Sequence, residues 1–108
     1  MYTKKDRTLD EYKRAGGEMR LFKQLGVTLA VDISKVLSAG DTDKLLRALE
    51  KVDEICSRAE DNMFCDHPGI GDEHVDVFYG DVFYEPRNEL DAEMIERARA
   101  AADGLFKH

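Results

Sequence analysis

The fold of this chain turns on LLRALEKVDEICSRAEDNM, residues 45–63. Within it Leu45, Leu49, Val52, Cys56, Ala59 and Met63 are spaced four, three, four, three, four. That spacing lines them along one stripe of an α-helix, a seam suited to packing against one long partner helix. Asp41 or Thr42 supplies a cap just ahead of it, so a helix is predicted over 42–64.

Working outward, the partner is found upstream. Thr8-Leu9-Asp10-Glu11 has the capping-box pattern, in which the Thr8 hydroxyl and the Glu11 carboxylate satisfy orphan amide donors. Behind it Phe22, Leu25, Leu29, Ile33 and Val36 recur at steps of three and four. Gly16-Gly17 interrupts this segment at about 1 kcal/mol per Gly against Ala, which predicts a kink or break there. Ser38-Ala39-Gly40 is a stop signal, so the first helix is predicted over 8–38. The short connection around Gly40 makes the two helices an antiparallel hairpin.

Downstream, Pro86 ends whatever precedes it and Asn88 is a favoured cap. Leu90, Met94, Ala98, Ala101 and Leu105 form the stripe of a third helix over 88–106. Between the second and third helices lies an acidic aromatic segment, 66–86. It opens with the loop Pro68-Gly69-Ile70-Gly71. Asp76-Val77-Phe78-Tyr79 is then repeated as Asp81-Val82-Phe83-Tyr84, with Gly80 between. Strand-forming residues around a Gly80-Asp81 turn predict a short β-hairpin of 75–79 with 82–85. A helix is the rival, since Val75, Phe78, Tyr79, Val82 and Phe83 also fit helical spacing. The expected fold class is therefore mainly α: a helical hairpin plus a third helix, with the short β-hairpin at 75–85. The 108 residues leave room for one domain, 1–108.

The charge is asymmetric. The chain carries 16 Lys+Arg against 23 Asp+Glu, a formal net of −7. Residues 1–54 hold 11 basic and 10 acidic groups, whereas over 60–96 twelve carboxylates face the single Arg87. Carboxylates steer a basic surface, and aromatics supply contact area at low entropic cost. Asp72, Glu73, Asp76, Phe78, Tyr79, Asp81, Phe83, Tyr84 and Glu85 are therefore the expected partner-binding residues. The partner they imply is a protein with a basic surface. A nucleic-acid-binding protein is one such partner, with the carboxylates imitating phosphates. Direct nucleic-acid binding is disfavoured, because phosphates repel this face. The bland alternative is a solvated acidic face that keeps a small protein soluble.

The function these features imply is non-catalytic, that of a small adaptor or inhibitor. No phosphate-cradling glycine loop occurs, and nothing selects an acid–base pair or a nucleophile. The alternative reading is a zinc-type metal site or an enzyme built on Cys65, His67, His74 and Asp76. Their spacing matches no usual zinc pattern, and as ordinary loop histidines His67 and His74 need no metal. Cys56 and Cys65 stand about 13 Å apart along a straight helix, too far for a disulfide. With no export signal and no apolar run of about 18 residues, a cytoplasmic protein that spans no membrane is expected. Leu21, Val27, Val31 and Leu37 lie off the main stripe of the first helix. Either the third helix covers them or the chain forms a homodimer through them.

Overall fold

Helix α1 runs without a break from Leu9 to Ile33. At its start the Thr8 hydroxyl accepts the Glu11 amide at 3.1 Å, the capping contact its sequence encodes. The computed structural model describes residues 7–80 and 85–106. α2 follows as Ala39–Asp66 and α3 as Glu89–Phe106, with a 3₁₀ turn at Asp72–Asp76 between them. α1 packs against both α2 and α3, and no strand occurs among the described residues.

Three helices stand where periodicity put them, and their ends differ by a few residues. α1 stops at Ile33, not at residue 38, and Gly40 lies inside the first turn of α2. The reason is a better cap. The Ser38 side chain accepts the Asp41 amide at 3.1 Å, so α2 begins three residues before the expected Asp41 or Thr42 position. Asn88 caps α3 as expected, accepting the Asp91 amide at 2.8 Å.

Of the expected kink or break at Gly16-Gly17, the break does not occur: α1 stays helical through both glycines, which are packing notches. A Cβ on Gly16 would lie 2.5 Å from the Val77 carbonyl oxygen, and one on Gly17 would lie 2.8 Å from Cβ of Arg97. The helix accepts the intrinsic penalty of glycine because two neighbouring backbones approach it there.

The expected β-hairpin is overturned where it is described. Residues 72–76 form the 3₁₀ turn, and 77–79 continue as bends. Val77 and Phe78 are buried in the core with Tyr12, Cys56, Met63, Leu90 and Met94. Three-dimensional packing outweighs strand propensity here, since Val77 seats in the Gly16 notch and a pleated strand would turn alternate side chains outward. Residues 81–84, the second half of the repeat, lie outside the described residues.

The seam of α2 faces inward as predicted, but unevenly. Cys56 and Met63 are buried, whereas Leu45, Leu49, Val52 and Ala59 are half-buried. The pairs Tyr12–Asp66, Lys23–Asp53 and Gly26–Leu49 run in opposite senses along the two chains, so the hairpin is antiparallel. α3 crosses the first half of α1, from Asp10 against Arg97 to Arg20 against Asp91. The Cα radius of gyration is 15.3 Å, against about 13 Å for a compact chain of this length. The excess reflects an elongated shape with principal extents of 47 × 32 × 25 Å.

One expectation about α1 fails outright. Phe22, Leu25 and Leu29, the stripe that was to face α2, are exposed. The buried positions of α1 are Tyr12, Gly16, Gly17, Arg20, Gly26 and Ala30. Small residues win the buried face because they allow close approach, and Arg20 wins a place because charged partners meet it.

Candidate functional site

Arg20 is fully buried at the centre of the molecule. Its Nη1 lies 2.9 Å from Oδ1 of Asp91, and its Nη2 donates to the Asp76 carbonyl. Gly80, at φ +135°, lies over the guanidinium, where a Cβ would fall 2.8 Å from Cζ. Arg87 closes the network: its amide donates to Asp91 at 3.0 Å, and its Nη2 stands 3.3 Å from Asp76 Oδ1. Burial pushes the Asp91 carboxyl up, but the Arg87 amide and the two guanidiniums outweigh it and hold the group below the usual range.

The same pattern recurs across the acidic segment. Asp66 receives Arg7 at 2.8 and 3.2 Å and the Tyr12 hydroxyl at 2.5 Å. Burial first, and then Asp66, push the Tyr12 phenol up to about 12. Glu93 bonds Lys13 at 2.9 Å and Arg97 at 3.0 Å. Basic residues of the first half thus meet acids of the second, and much of the charge asymmetry is internal complementarity. Asp61, Asp72, Glu73, Glu85, Glu89 and Glu96 remain exposed, and burial raises Glu60 above the ordinary carboxylate range.

The expected partner-binding residues therefore divide. Asp72, Glu73 and Glu85 are exposed, and Asp76 is half-buried beside Arg87. Phe78 is a correction: it is a core side chain and offers no anchor to a partner. Tyr79 is half-buried under Lys23, whose Nζ stands 4.3 Å from the ring centroid. Asp81, Phe83 and Tyr84 lie outside the described residues.

The zinc-type alternative is not assembled. Among the described residues no three His, Cys, Asp or Glu side chains are grouped to hold a metal ion. Nε2 of His67 lies 2.8 Å from the Arg7 carbonyl, Nδ1 of His74 lies 3.0 Å from the Gly71 carbonyl, and Asp76 faces Arg87. Cys65 is exposed on α2, and both cysteines are free thiols. His67, His74 and Asp76 each face a separate local partner.

The feature that residue-type reasoning missed is a groove. α1 forms its floor through Ala15, Met19, Phe22 and Leu25, α2 supplies Val52 and Ile55, and α3 supplies Ala101 and Leu105. It is an open cleft of about 610 Å³. Phe22 is 52% exposed, Leu25 62%, Ile55 54% and Leu105 61%. Single exposed apolar residues are ordinary, but a contiguous concave set of them marks a place for a ligand or partner. The signal in the sequence is the pair Phe22 and Leu25, whose stripe is exposed and not packed on α2; Leu29, the next residue of that stripe, lies outside the cleft. No helix of the described residues is long and apolar enough to cross a membrane. Compared with protein-family models, curated proteins and solved structures, the chain matches none.

Proposed function

We propose that this protein is a non-catalytic protein-binding module whose main contact surface is the apolar groove between its three helices. The observation that carries this reading is the set of half-exposed large side chains lining one groove: Phe22 and Leu25 on the floor, Ile55 and Leu105 on the sides. Exposing them costs solubility, and covering them with a partner would bury apolar area at about 25 cal/mol per Å². Among the described residues the lining of the groove is almost wholly apolar, and binding is the chemistry such a surface offers. The free thiols of Cys56 and Cys65 suit a reducing, cytoplasmic setting.

A second reading keeps the acidic face as the contact for a basic partner. It is favoured by the exposure of Asp72, Glu73, Glu85 and Glu89. Mimicry of a nucleic acid needs a longer row of carboxylates, and Asp66, Asp76, Asp91 and Glu93 are committed to internal cations.

One experiment separates the two. Affinity capture would compare the wild type, the groove variant Leu25→Gln/Ile55→Gln, and the charge-reversed Asp72→Lys/Glu73→Lys/Glu89→Lys. A stoichiometric partner lost only from the groove variant supports the first reading. Loss only from the charge-reversed variant transfers the function to the acidic face. Retention by both variants sinks both readings.

A further inference from the structure

The occupant of the groove can be specified by charge, an inference that rests on the groove reading above. We propose that the groove receives one amphipathic helix of another protein, its apolar stripe flanked by carboxylates. The floor runs from Ala15 to Leu25 on α1, about 15 Å at 1.5 Å per residue. That length suits two to three turns of an incoming helix, with anchors at i, i+3 or i+4, and i+7.

Among the described residues no cation lines the groove itself, but the edge of α2 beside Ile55 is basic, although the chain as a whole carries −7. On α2, Lys51 and Arg58 stand one turn before and one turn after Ile55, on the same side of the helix. Both are exposed, and neither forms an ion pair among the described residues. The strip they belong to, positions 44, 48, 51, 55, 58 and 62, reads Lys, Ala, Lys, Ile, Arg, Asn, with no carboxylate in it. On the far side the groove continues into a smaller cleft lined by Arg14 and Arg97. Glu18 is the one acid lining either cleft among the described residues, and it lies 3.9 Å from Arg14. Arg97 is already paired with Asp10 and Glu93, so Lys51 and Arg58 are the cations left for an incoming flank. Carboxylates beside an apolar stripe would meet these cations, and lysines there would be repelled.

A second copy of this chain fits less well. Phe22 and Leu25 lie on the floor of its own groove, and Val27, Leu29 and Val31, exposed outside it, carry no charge to meet Lys51 and Arg58. The outward side of α3 carries Ala92, Glu96, Arg99 and Asp103, with no large apolar knob. An anionic bilayer would be drawn to the same lysines and arginines, but a flat surface reaches the rim and not the floor.

The test uses the full chain and two fluorescein-labelled synthetic helical peptides. Both carry Leu and Ile on one stripe, flanked in one peptide by Glu and in the other by Lys. Anisotropy at low salt should show the Glu peptide binding about 10-fold tighter or more. That preference should collapse at 1 M salt, where the screening length is about 3 Å. Lys51→Glu/Arg58→Glu should invert the preference, and Leu25→Gln/Ile55→Gln should abolish binding of both, each with an unchanged melting curve. Equal binding or a Lys preference at low salt overturns the inference. So does sedimentation showing a dimer that the groove variant dissociates, or binding to phosphatidylserine vesicles with neither peptide bound. If both peptides fail while partner capture still depends on Leu25 and Ile55, the groove reading stands and the acidic flank is wrong.

Discussion

The two halves of α1 are built on opposite rules. From Leu9 to Arg20 the buried side is Tyr12, Gly16, Gly17 and Arg20, and α3 and the 77–80 segment press against it. From Leu21 to Ile33 the helix carries more large apolar residues, yet Val27 and Val31 are each 59% exposed and Leu25 is more so. Hydrophobicity alone would have ranked the halves the other way. What decides burial is whether another backbone can come close. Glycine permits that, and a buried arginine is tolerated because Asp91 and the Asp76 carbonyl compensate it. The tightly packed half spends its side chains on internal contacts, and the other half leaves apolar surface uncovered.

The sharpest way to break this contrast is to remove Arg20. Arg20→Ala leaves the Asp91 carboxylate buried beside Arg87 alone, and should cost about 3–5 kcal/mol in urea unfolding. A loss under about 1 kcal/mol, the size of an exposed pair, would show that the network does not hold the packed half together.

Acid should act on the same half. Asp91, Glu93 and Asp10 have folded pKa values below their ordinary ones, so their contribution is present above pH about 4 and is lost as pH falls through the folded values. Glu60, raised by burial, works in the opposite direction. The urea midpoint should therefore drop as pH is lowered below about 4. A flat or rising midpoint there would contradict the pairing.

A matched pair of glycine substitutions sharpens the comparison. In Gly16→Ala the new methyl meets the Val77 carbonyl, and overpacking of about 1–3 kcal/mol should exceed the gain in helix propensity. In Gly104→Ala nothing lies within 4 Å of the new methyl, so up to about 1 kcal/mol should be gained. Equal effects at the two sites would mean that Gly16 is not a packing notch.

The smallest effect is expected in the open half. Val31→Lys and Leu25→Gln should each change stability by no more than about 0.5 kcal/mol, by thermal or urea unfolding. A large destabilisation from either would mean that the side chain is covered in solution, and self-association would be measured next.

The three helices were legible from local rules. The seam from Leu45 to Met63, the Thr8 cap and the Asn88 cap each encode an element through contacts within a few residues. The β-hairpin and a break at Gly16-Gly17 fail for one reason: Val77 occupies the notch that Gly16 leaves, and the two residues are 61 apart in sequence. The metal-type alternative shows that nearness in sequence does not aim side chains at a common point. His67 turns to Arg7, and His74 turns to Gly71. The groove was visible only as a stripe without a destination.

By itself, then, the sequence determined which segments are helical and where two of them begin, since capping and periodicity act over one or two turns. It also determined the excess of acid in the second half, a matter of composition. Only the tertiary structure decided which side of α1 is buried, which carboxylates are spent on internal cations, and that a basic-edged apolar groove is left open. Those outcomes depend on backbones and charges that meet across 23 to 87 residues of chain, from Gly26 with Leu49 to Asp10 with Arg97, and no local pattern records them.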